Sequence, residues 1–412
     1  MRKMFKCRAC DEELGQPFLS LGNSPLSNAY LSKDDLNRME PHYPLDVYFC
    51  EQCFLVQIEK FESPENIFSS DYAYYSSYAE SWLQHCQEYT QMIVSRCNLN
   101  QDSFVVEIAS NDGYLLQYFK KHNIPVLGIE PAANTAAIAI EKGLDTDVAF
   151  FDTSYAIKMR HAGKQADLII GNNVLAHNPE LHDFVAGLQI ALKPGGIITM
   201  EFPHLLQLLE KNQFDTIYHE HFSYFSFQTV QRLFASHQLV LFDVEEIPTH
   251  GGSLRILARH QNNELLSITD RVSELSAREK SAGLLEEKTY YRFRENVERS
   301  KRSLLGFLIA AKNEGKKIIG YGAPAKGNTL LNYCGIRTDF LDYTVDRNPF
   351  KQEKYLPGTR IPIKAPEQIN VDRPDYVLIL PWNIQDEIIQ QLRYIRNWGG
   401  KFIIPIPEVE VV

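Results

Sequence analysis

The sequence predicts an α/β protein in which a small irregular N-terminal segment precedes two Rossmann-like units. From Phe104 onward, short apolar runs such as FVVEIA, PVLGIE and ADLIIGNNV alternate with helical patterns such as NTAAIAIEKG. This alternation is typical of a parallel sheet with helices on both faces. A second series of the same kind starts at KKIIGYG and continues through DYVLILP and KFIIPIP. We therefore divide the chain into residues 1–68, 69–245 and 246–412.

The composition is that of a globular protein. The chain has 412 residues, of which 44% are hydrophobic and 23% charged, and this suits two or three domains. No stretch approaches the roughly 20 apolar residues of a membrane helix, and no apolar core follows the first cations, as a secretory signal requires. A net charge of −10 argues against a nucleic-acid partner. We expect a cytoplasmic protein without membrane or nucleic-acid partners, and the composition leaves its oligomeric state open, a monomer included.

Four cysteines form two C-x2-C pairs near the N-terminus. Without a secretion signal, such pairs are more often metal ligands than disulfides. Four thiolates can close a tetrahedral zinc site that has no open position, so the metal would be structural and would fold a segment too small to bury its own core. The alternative of four unrelated thiols is less favoured, because two identical pairs rarely arise by accident. The predicted zinc ligands are Cys7, Cys10, Cys50 and Cys53.

The segment VVEIASNDGYLL predicts a strand, a glycine-containing turn and a helix, the place where ligands approach the backbone of a parallel sheet. Glu130 ends the next strand, where an acid can accept both hydroxyls of a ribose. The turn lacks the full G-x-G-x-x-G of a pyrophosphate site, and this favours S-adenosylmethionine over NAD. A turn without a ligand is the alternative. Phe150 and Phe151 could equally stack on adenine or belong to the core. The predicted donor-site residues are Glu107, Ala109, Asn111, Gly113, Glu130, Pro131, Asn172 and Asn173.

The tetrapeptide Tyr218-His219-Glu220-His221 is the candidate for acid–base chemistry. Its two histidines are two residues apart, which on a helix places them on different faces and disfavours a metal site. Histidine can accept a proton near neutral pH. A second cluster, Tyr72, Tyr74 and Tyr75, offers phenols that can hydrogen-bond an enolate oxygen. The alternative is a packed patch of aromatic and histidine side chains.

Glycine turns with nearby cations mark the C-terminal part of the chain. The segment GYGAPAKGNTLL predicts a strand, a turn and a helix start, where backbone N–H groups and a lysine suit an anion. In an acidic protein this hints at a phosphorylated acceptor, with ordinary turns and solvated cations as the alternative. The predicted acceptor-site residues are His250, Ser253, Arg255, Tyr321, Lys326, Asn328, Asp346, Lys351 and Arg360.

Several motifs together resemble the nucleotide-sugar C-methyltransferases, which add a branching methyl group to deoxysugars such as tetronitrose. The resemblance runs nearly end to end and includes the cysteine pairs, DYAYYSSY, EIASNDGYLL, NNVLAHNPE, EFPHLLQLL, YHEHFSYFS, HGGSLR, GYGAPAKGNTLL, VDRNPFKQ and LPWN. It implies a zinc-binding domain, an S-adenosylmethionine-dependent methyltransferase domain of class I and a C-terminal nucleotide-sugar domain around one active site. The implied acceptor is a thymidine-diphosphate-linked 4-keto-deoxysugar that is methylated at C3.

The same resemblance assigns roles to individual residues. The base is the second histidine of YHEH, His221, with Tyr218 and Glu220 as active-site partners, and Tyr72 faces the sugar, although Tyr74 and Tyr75 are close by. Ala109 departs from the family, which often has glycine there, and its methyl group is tolerated if φ is negative.

Three rival interpretations remain at this point. An O- or N-methyltransferase acting on another nucleotide-linked acceptor would need no base to form a carbanion. A nucleic-acid-binding protein with a zinc ribbon is disfavoured by the net acidity. An NAD-dependent sugar enzyme would use the GYGAPAKG turn for its cofactor.

Overall fold

The computed structural model describes residues 5–68, 75–78 and 80–412 and confirms the predicted α/β fold class. The described part of the chain contains three sheets, of four, seven and six strands, with helices between their strands. Tyr72 and Tyr74 lie outside the described residues. Among the helices of the described ranges, none is long and apolar enough to cross a membrane.

The N-terminal part is built on a small antiparallel sheet. Its strand Tyr43–Phe49 is the run YPLDVYF, which buries Leu45 and Val47 on one face. The sheet order is β1-β2-β3-β9, and its fourth strand comes from much later in the chain. The elements before residue 70 are β1 (Leu19–Ser24), β2 (Tyr43–Phe49), β3 (Val56–Ile58) and α1 (Pro64–Ile67).

The central part is a seven-stranded sheet in the order β10-β11-β8-β7-β4-β5-β6. Strands β4 to β8 are parallel, and β11 runs antiparallel to both its neighbours. The elements are α2 (Glu80–Arg96), β4 (Val105–Ile108), α3 (Leu116–Lys121), β5 (Val126–Ile129), α4 (Ala133–Glu141), β6 (Thr146–Asp147), α5 (Thr153–His161), β7 (Ala166–Asn172), α6 (Leu181–Ala191), β8 (Leu192–Pro203), α7 (Leu205–Glu210), β9 (Ser223–Tyr224), α8 (Phe227–Ala235), β10 (Leu239–Ile247) and β11 (Ser253–His260).

The predicted boundary after residue 245 falls inside β10. The next strand, β11, completes the same sheet by pairing with β8 from Ser253↔Pro203 to Ala258↔Ile198. The sheet therefore extends to His260, beyond the predicted end of this unit. Two helices then connect it to the C-terminal part, α9 (Asp270–Ser281) and α10 (Glu287–Asn313).

The C-terminal part is a second, mostly parallel sheet in the order β14-β13-β12-β15-β16-β17. Only β17 is antiparallel to its neighbour. Its elements are β12 (Ile318–Tyr321), α11 (Ala325–Cys334), β13 (Thr344–Val345), β14 (Ile363–Lys364), α12 (Gln368–Asp372), β15 (Tyr376–Ile379), α13 (Gln385–Gln391), β16 (Lys401–Ile404) and β17 (Glu410–Val411).

One apolar core joins the N-terminal sheet to the C-terminal part of the chain. Phe18 and Phe49 both pack on Tyr290 of α10, and the Phe49 and Tyr290 rings are stacked with centroids 4.1 Å apart. The N-terminal sheet is thus fixed to the helix that leads into the second α/β unit, and all three parts meet around a shared cleft.

Candidate active site

The four predicted zinc ligands come together. Their sulfur atoms all lie within 4.8 Å of one another, with Cys7 and Cys53 3.4 Å apart and Cys10 and Cys50 3.5 Å apart. Zn–S bonds of 2.3 Å at tetrahedral angles place sulfurs roughly 3.8 Å apart, so the cluster fits zinc.

The local backbone explains why the sulfurs converge. The N–H of Asp11 donates to the Cys7 carbonyl, and the N–H of Phe54 donates to the Cys50 carbonyl. Both Asp11 and Phe54 have positive φ, at 59° and 65°. The two pairs therefore fold as the same tight turn, and each turn points its sulfurs at one centre.

A cavity of about 550 Å³ lies where the three parts of the chain meet. One end is formed by the carboxyl ends of β4, β5 and β7, the usual ligand position in a parallel α/β sheet. Six of the predicted donor-site residues line it: Ala109, Asn111, Glu130, Pro131, Asn172 and Asn173. Phe150 also lines it with 39% exposure, whereas Phe151, which borders it too, is largely buried against Phe184.

The turn after β4 is held open by left-handed backbone. Ala109, Asn111 and Gly113 have φ of 57°, 50° and 76°. The condition of negative φ at Ala109 is therefore not met, and alanine carries there the roughly 1–2 kcal/mol that a Cβ costs in this region. At Gly113 a Cβ would stand 2.3 Å from Leu144 Cδ1, so this position requires glycine. The turn gains the space for a ligand from these conformations.

Glu130 connects this turn to the start of α4. One carboxylate oxygen accepts from the Asn111 N–H at 2.9 Å, and the other accepts from the Ala132 N–H at 2.8 Å. Each oxygen keeps a further lone pair for a ligand hydroxyl. Glu107, by contrast, is fully buried behind the cavity wall beside Tyr114, and burial raises its pKa well above the ordinary value.

We expect Glu130→Ala to weaken binding of S-adenosylhomocysteine by about 10- to 100-fold, the loss of one or two hydrogen bonds to a charged group. Isothermal titration calorimetry measures this directly. Glu141→Ala, at the exposed end of the same helix, is the matched control. An unchanged affinity in Glu130→Ala would place the ribose elsewhere.

The other end of the cavity holds the predicted base. His221 donates from Nδ1 to the Thr216 carbonyl at 3.1 Å, so its Nε2 is the nitrogen that carries the lone pair. The Tyr218 hydroxyl lies 2.8 Å from Nε2, and both side chains line the cavity. Burial holds the pKa of His221 well below 6.5, and the neighbouring His177 lowers it further. The imidazole is therefore neutral and able to accept a proton.

Glu220 stands in the same wall. Asn28 of the N-terminal part donates from Nδ2 to both of its oxygens, at 2.8 and 3.0 Å. Burial raises the pKa of Glu220 to about 7. His219, the remaining member of the tetrapeptide, lies outside the cavity wall and is held by the Pro44 carbonyl at 3.1 Å.

The raised pKa of Glu220 predicts a pH-dependent change in stability. An acid whose folded pKa is about 7, above an unfolded value of 4.5, binds its proton more tightly in the folded state, so stability falls as pH rises between those values. We expect Glu220→Gln to be more stable than the wild type at pH 8, by about 1–3 kcal/mol, with little difference near pH 5. Urea unfolding at several pH values tests this, with exposed Glu264→Gln as the control. A pH-independent difference contradicts it.

Three of the predicted acceptor-site residues line the cavity: His250, Lys326 and Lys351. His250 Nε2 accepts from Asn173 Nδ2 at 3.1 Å. Lys326 Nζ donates to Asn383 at 2.8 Å and lies 4.5 Å from the centre of the Trp382 ring. Burial lowers the pKa of His250 to about 4, so the two lysines are the cations of this set. His250 and Lys326 both interact electrostatically with His221.

The structure places the other six outside the cavity wall, each with partners inside the protein. Four of them bond backbone groups: Ser253 the Thr249 carbonyl, Asn328 the Ser27 carbonyl, Arg360 the Leu36 carbonyl, and Asp346 the Ala323 and Asn348 N–H groups. The other two bond side chains: Arg255 those of Glu201 and Glu245, and Tyr321 that of Gln391.

Several cavity residues were not among the predicted site residues. His177, within the motif NNVLAHNPE, packs edge-on against the His221 ring with centroids 4.6 Å apart. Trp82 borders the cavity between His85 and His250, and Asn28 reaches it from the N-terminal part. His177 could have been predicted as a site residue, because it is a histidine within a motif shared with the family. No feature of the sequence marks Trp82 or Asn28 as site residues.

In the central sheet the strand that comes last in the chain, β11, is reversed, and the acid Glu130 follows the second strand at the cavity. Three family models match the chain in sequence: a zinc binding domain over residues 7–68, a methyltransferase domain over 82–244 and a C-methyltransferase C-terminal domain over 248–407. The enzyme is a methyltransferase, and the cysteine cluster is the metal site of its first domain.

The similarity to a curated relative is just as extended. The chain is 36% identical to C-methyltransferase NovU of Streptomyces niveus over 412 residues, all of this chain and 98% of the relative. It belongs to the C-methyltransferase family.

Solved methyltransferase structures match less than half of the chain in the two comparisons given next. Magnesium protoporphyrin IX methyltransferase from Synechocystis with bound S-adenosylmethionine covers 43% of this chain and 78% of its own, at 13% identity and a TM-score of 0.34. The CcbJ methyltransferase of Streptomyces caelestis covers 42% of this chain and 89% of its own, at 12% identity and a TM-score of 0.33.

Proposed function

We propose that this C-methyltransferase acts on a nucleotide-linked 4-keto-deoxysugar, with thymidine diphosphate as the nucleotide, and methylates carbon 3. The observation that carries the proposal is His221, which lines the same cavity as the donor turn and Glu130 and whose Nδ1 donates to the Thr216 carbonyl, so that Nε2 carries the lone pair. A methyl group can join carbon only if that carbon is made nucleophilic. A ketone at C4 makes the C3 proton removable by a base of this kind.

In the proposed reaction, His221 accepts the C3 proton at Nε2. The Tyr218 hydroxyl, 2.8 Å from that nitrogen in the structure, donates to the oxygen of the resulting enolate. S-adenosylmethionine, held at the Glu130 end, supplies an electrophilic methyl group when bound. The chain's remaining task is to hold the two ends of the cavity so that carbon and methyl approach in line.

The positive charges in the wall support a phosphorylated acceptor. Lys326 and Lys351 both line the cavity, each with its ammonium over an aromatic ring, Trp382 at 4.5 Å and Tyr30 at 5.1 Å. Burial lowers the pKa of Lys326, and the charge of Asp215, which accepts from the Trp382 indole N–H at 2.7 Å, opposes this shift. In a chain of net charge −10, such local cations favour a diphosphate.

Two measurements test the proposed function. A thermal-shift screen of thymidine, uridine and guanosine diphosphate sugars, with S-adenosylhomocysteine present, identifies the nucleotide, because a ligand of the folded state raises the melting temperature. The product formed with a ¹³C-methyl donor then shows by NMR whether the methyl group is bonded to carbon. A methyl group on oxygen or nitrogen would establish the rival acceptor chemistry.

A further inference from the structure

The tetrapeptide Tyr218-His219-Glu220-His221 is attached to the part of the chain that carries the cysteine cluster. Directly after His221, the backbone becomes the fourth strand of the N-terminal sheet, with Ser223–Tyr224 pairing antiparallel to Val56–Ile58. The N–H of Ile58 donates to the Phe222 carbonyl at 3.1 Å. The position of the residue after the base is thus set by the N-terminal sheet.

Arg8 strengthens this attachment from within the first cysteine turn. Its guanidinium donates to the Phe222 carbonyl and, at 2.8 Å, to the Ile58 carbonyl. It also lies 5.7 Å from the centres of both the Phe222 and Phe5 rings. An arginine fork that bonds two backbone carbonyls fixes their relative position better than a single donor does.

A closed ring of contacts links this arginine to the metal ligands. Gln57, fully buried in β3, donates from Nε2 to Cys7 Sγ at 3.1 Å and accepts from the Arg8 N–H at 3.1 Å. The path runs from Cys7 through Gln57 and Ile58 to Phe222 and returns through Arg8. Because Arg8 stands between the ligands Cys7 and Cys10, closing the metal site also fixes the start of the Arg8 side chain.

We infer that Arg8 is a positioning residue for His221, through which the structural metal site controls the geometry of the base. The inference rests on the proposed function of His221. Two further contacts from the same part of the chain act on the tetrapeptide, His219 on the Pro44 carbonyl and Asn28 on Glu220. The N-terminal part then contributes to the active site in two ways: Asn28 lines the cavity directly, and Arg8 acts through the segment that it holds.

The test compares Arg8→Met and Arg8→Lys with Arg38→Met, an exposed arginine of the same part of the chain. We expect zinc content and S-adenosylhomocysteine affinity to match the wild type. kcat should fall roughly 10- to 100-fold in Arg8→Met and less in Arg8→Lys, with KM little changed, because displacing a catalytic group by about 1 Å costs this much. Arg38→Met should retain wild-type kcat.

A second readout needs no substrate. ¹⁵N-histidine NMR, with the His221 signals assigned from His221→Ala, should show the Nδ1–H tautomer in the wild type and a shifted or exchange-broadened His221 in both Arg8 variants. If Arg8→Met does not fold, Arg8→Lys supplies both readouts. Wild-type kcat and an unchanged His221 spectrum in zinc-loaded Arg8→Lys overturn the inference. Failure of the wild type to methylate any nucleotide sugar counts against the proposed function alone, since the spectrum still decides the role of Arg8.

Discussion

Replacing His221 with alanine should reduce methyl transfer by roughly 10²- to 10⁴-fold, the usual contribution of a positioned general base. The His221 imidazole lines the cavity, with Nδ1 donating to the Thr216 carbonyl and Nε2 next to the Tyr218 hydroxyl. Neither the donor turn nor Lys326 depends on it, so His221→Ala should still bind S-adenosylhomocysteine and thymidine diphosphate. Rates under single-turnover conditions, together with calorimetry, separate these effects.

Hydrogen exchange at C3 tests the same role without methyl transfer. With the ketosugar and S-adenosylhomocysteine in heavy water, we expect the wild type to exchange the C3 hydrogen and His221→Ala to show only background exchange. Tyr218→Phe should fall between the two, because it removes a hydrogen bond to the enolate and keeps the base. Near-normal methylation by His221→Ala would assign the proton transfer to another group, with His177 the next candidate because its ring contacts His221.

Strands β4, β5, β7, β12, β15 and β16 could be predicted because each is a short apolar run between turn residues. The pairing of the segment after His221 with the N-terminal sheet could not be predicted. Ser223–Tyr224 is only two residues long, and its partner Val56–Ile58 is remote in the sequence. No local pattern distinguishes such a strand from a loop, since the pairing is decided by where the N-terminal sheet packs.

The predicted donor-site residues line the cavity more often than the predicted acceptor-site residues do. The position of Glu130 is fixed by the strand that it ends, a feature with a clear apolar pattern. On the acceptor side, charges next to glycines indicated an anion site, and Lys326 does line the cavity, but Asp346 and Arg360 bond the backbone instead. A sequence shows that a residue is charged and does not show which buried group neutralises it. The left-handed φ of Ala109 was hidden for a similar reason, because it depends on the turn's tertiary contacts.

Arg255 was predicted to bind the acceptor, but in the structure it neutralises buried carboxylates. Its guanidinium donates to Glu201 at 2.7 Å and to Glu245 at 2.8 Å, and it lies over the Tyr89 ring. Glu201 is only 1% exposed. Arg255→Met should therefore leave the buried Glu201 carboxylate with His85, at 2.9 Å, as its remaining side-chain partner among the described residues, and should destabilise the protein by about 3–5 kcal/mol.

Urea unfolding of Arg255→Met measures this loss. The control is Arg302→Met, which removes an exposed i,i+4 pair with Glu298 and should cost less than about 1 kcal/mol. If Arg255 instead bound the acceptor, as its place beside His250-Gly-Gly-Ser suggests, the variant would keep its stability and raise KM. The double variant Glu201→Gln/Arg255→Met distinguishes the two roles further. It should recover much of the lost stability, because the cost comes from the charge left without its partner and not from the missing arginine itself.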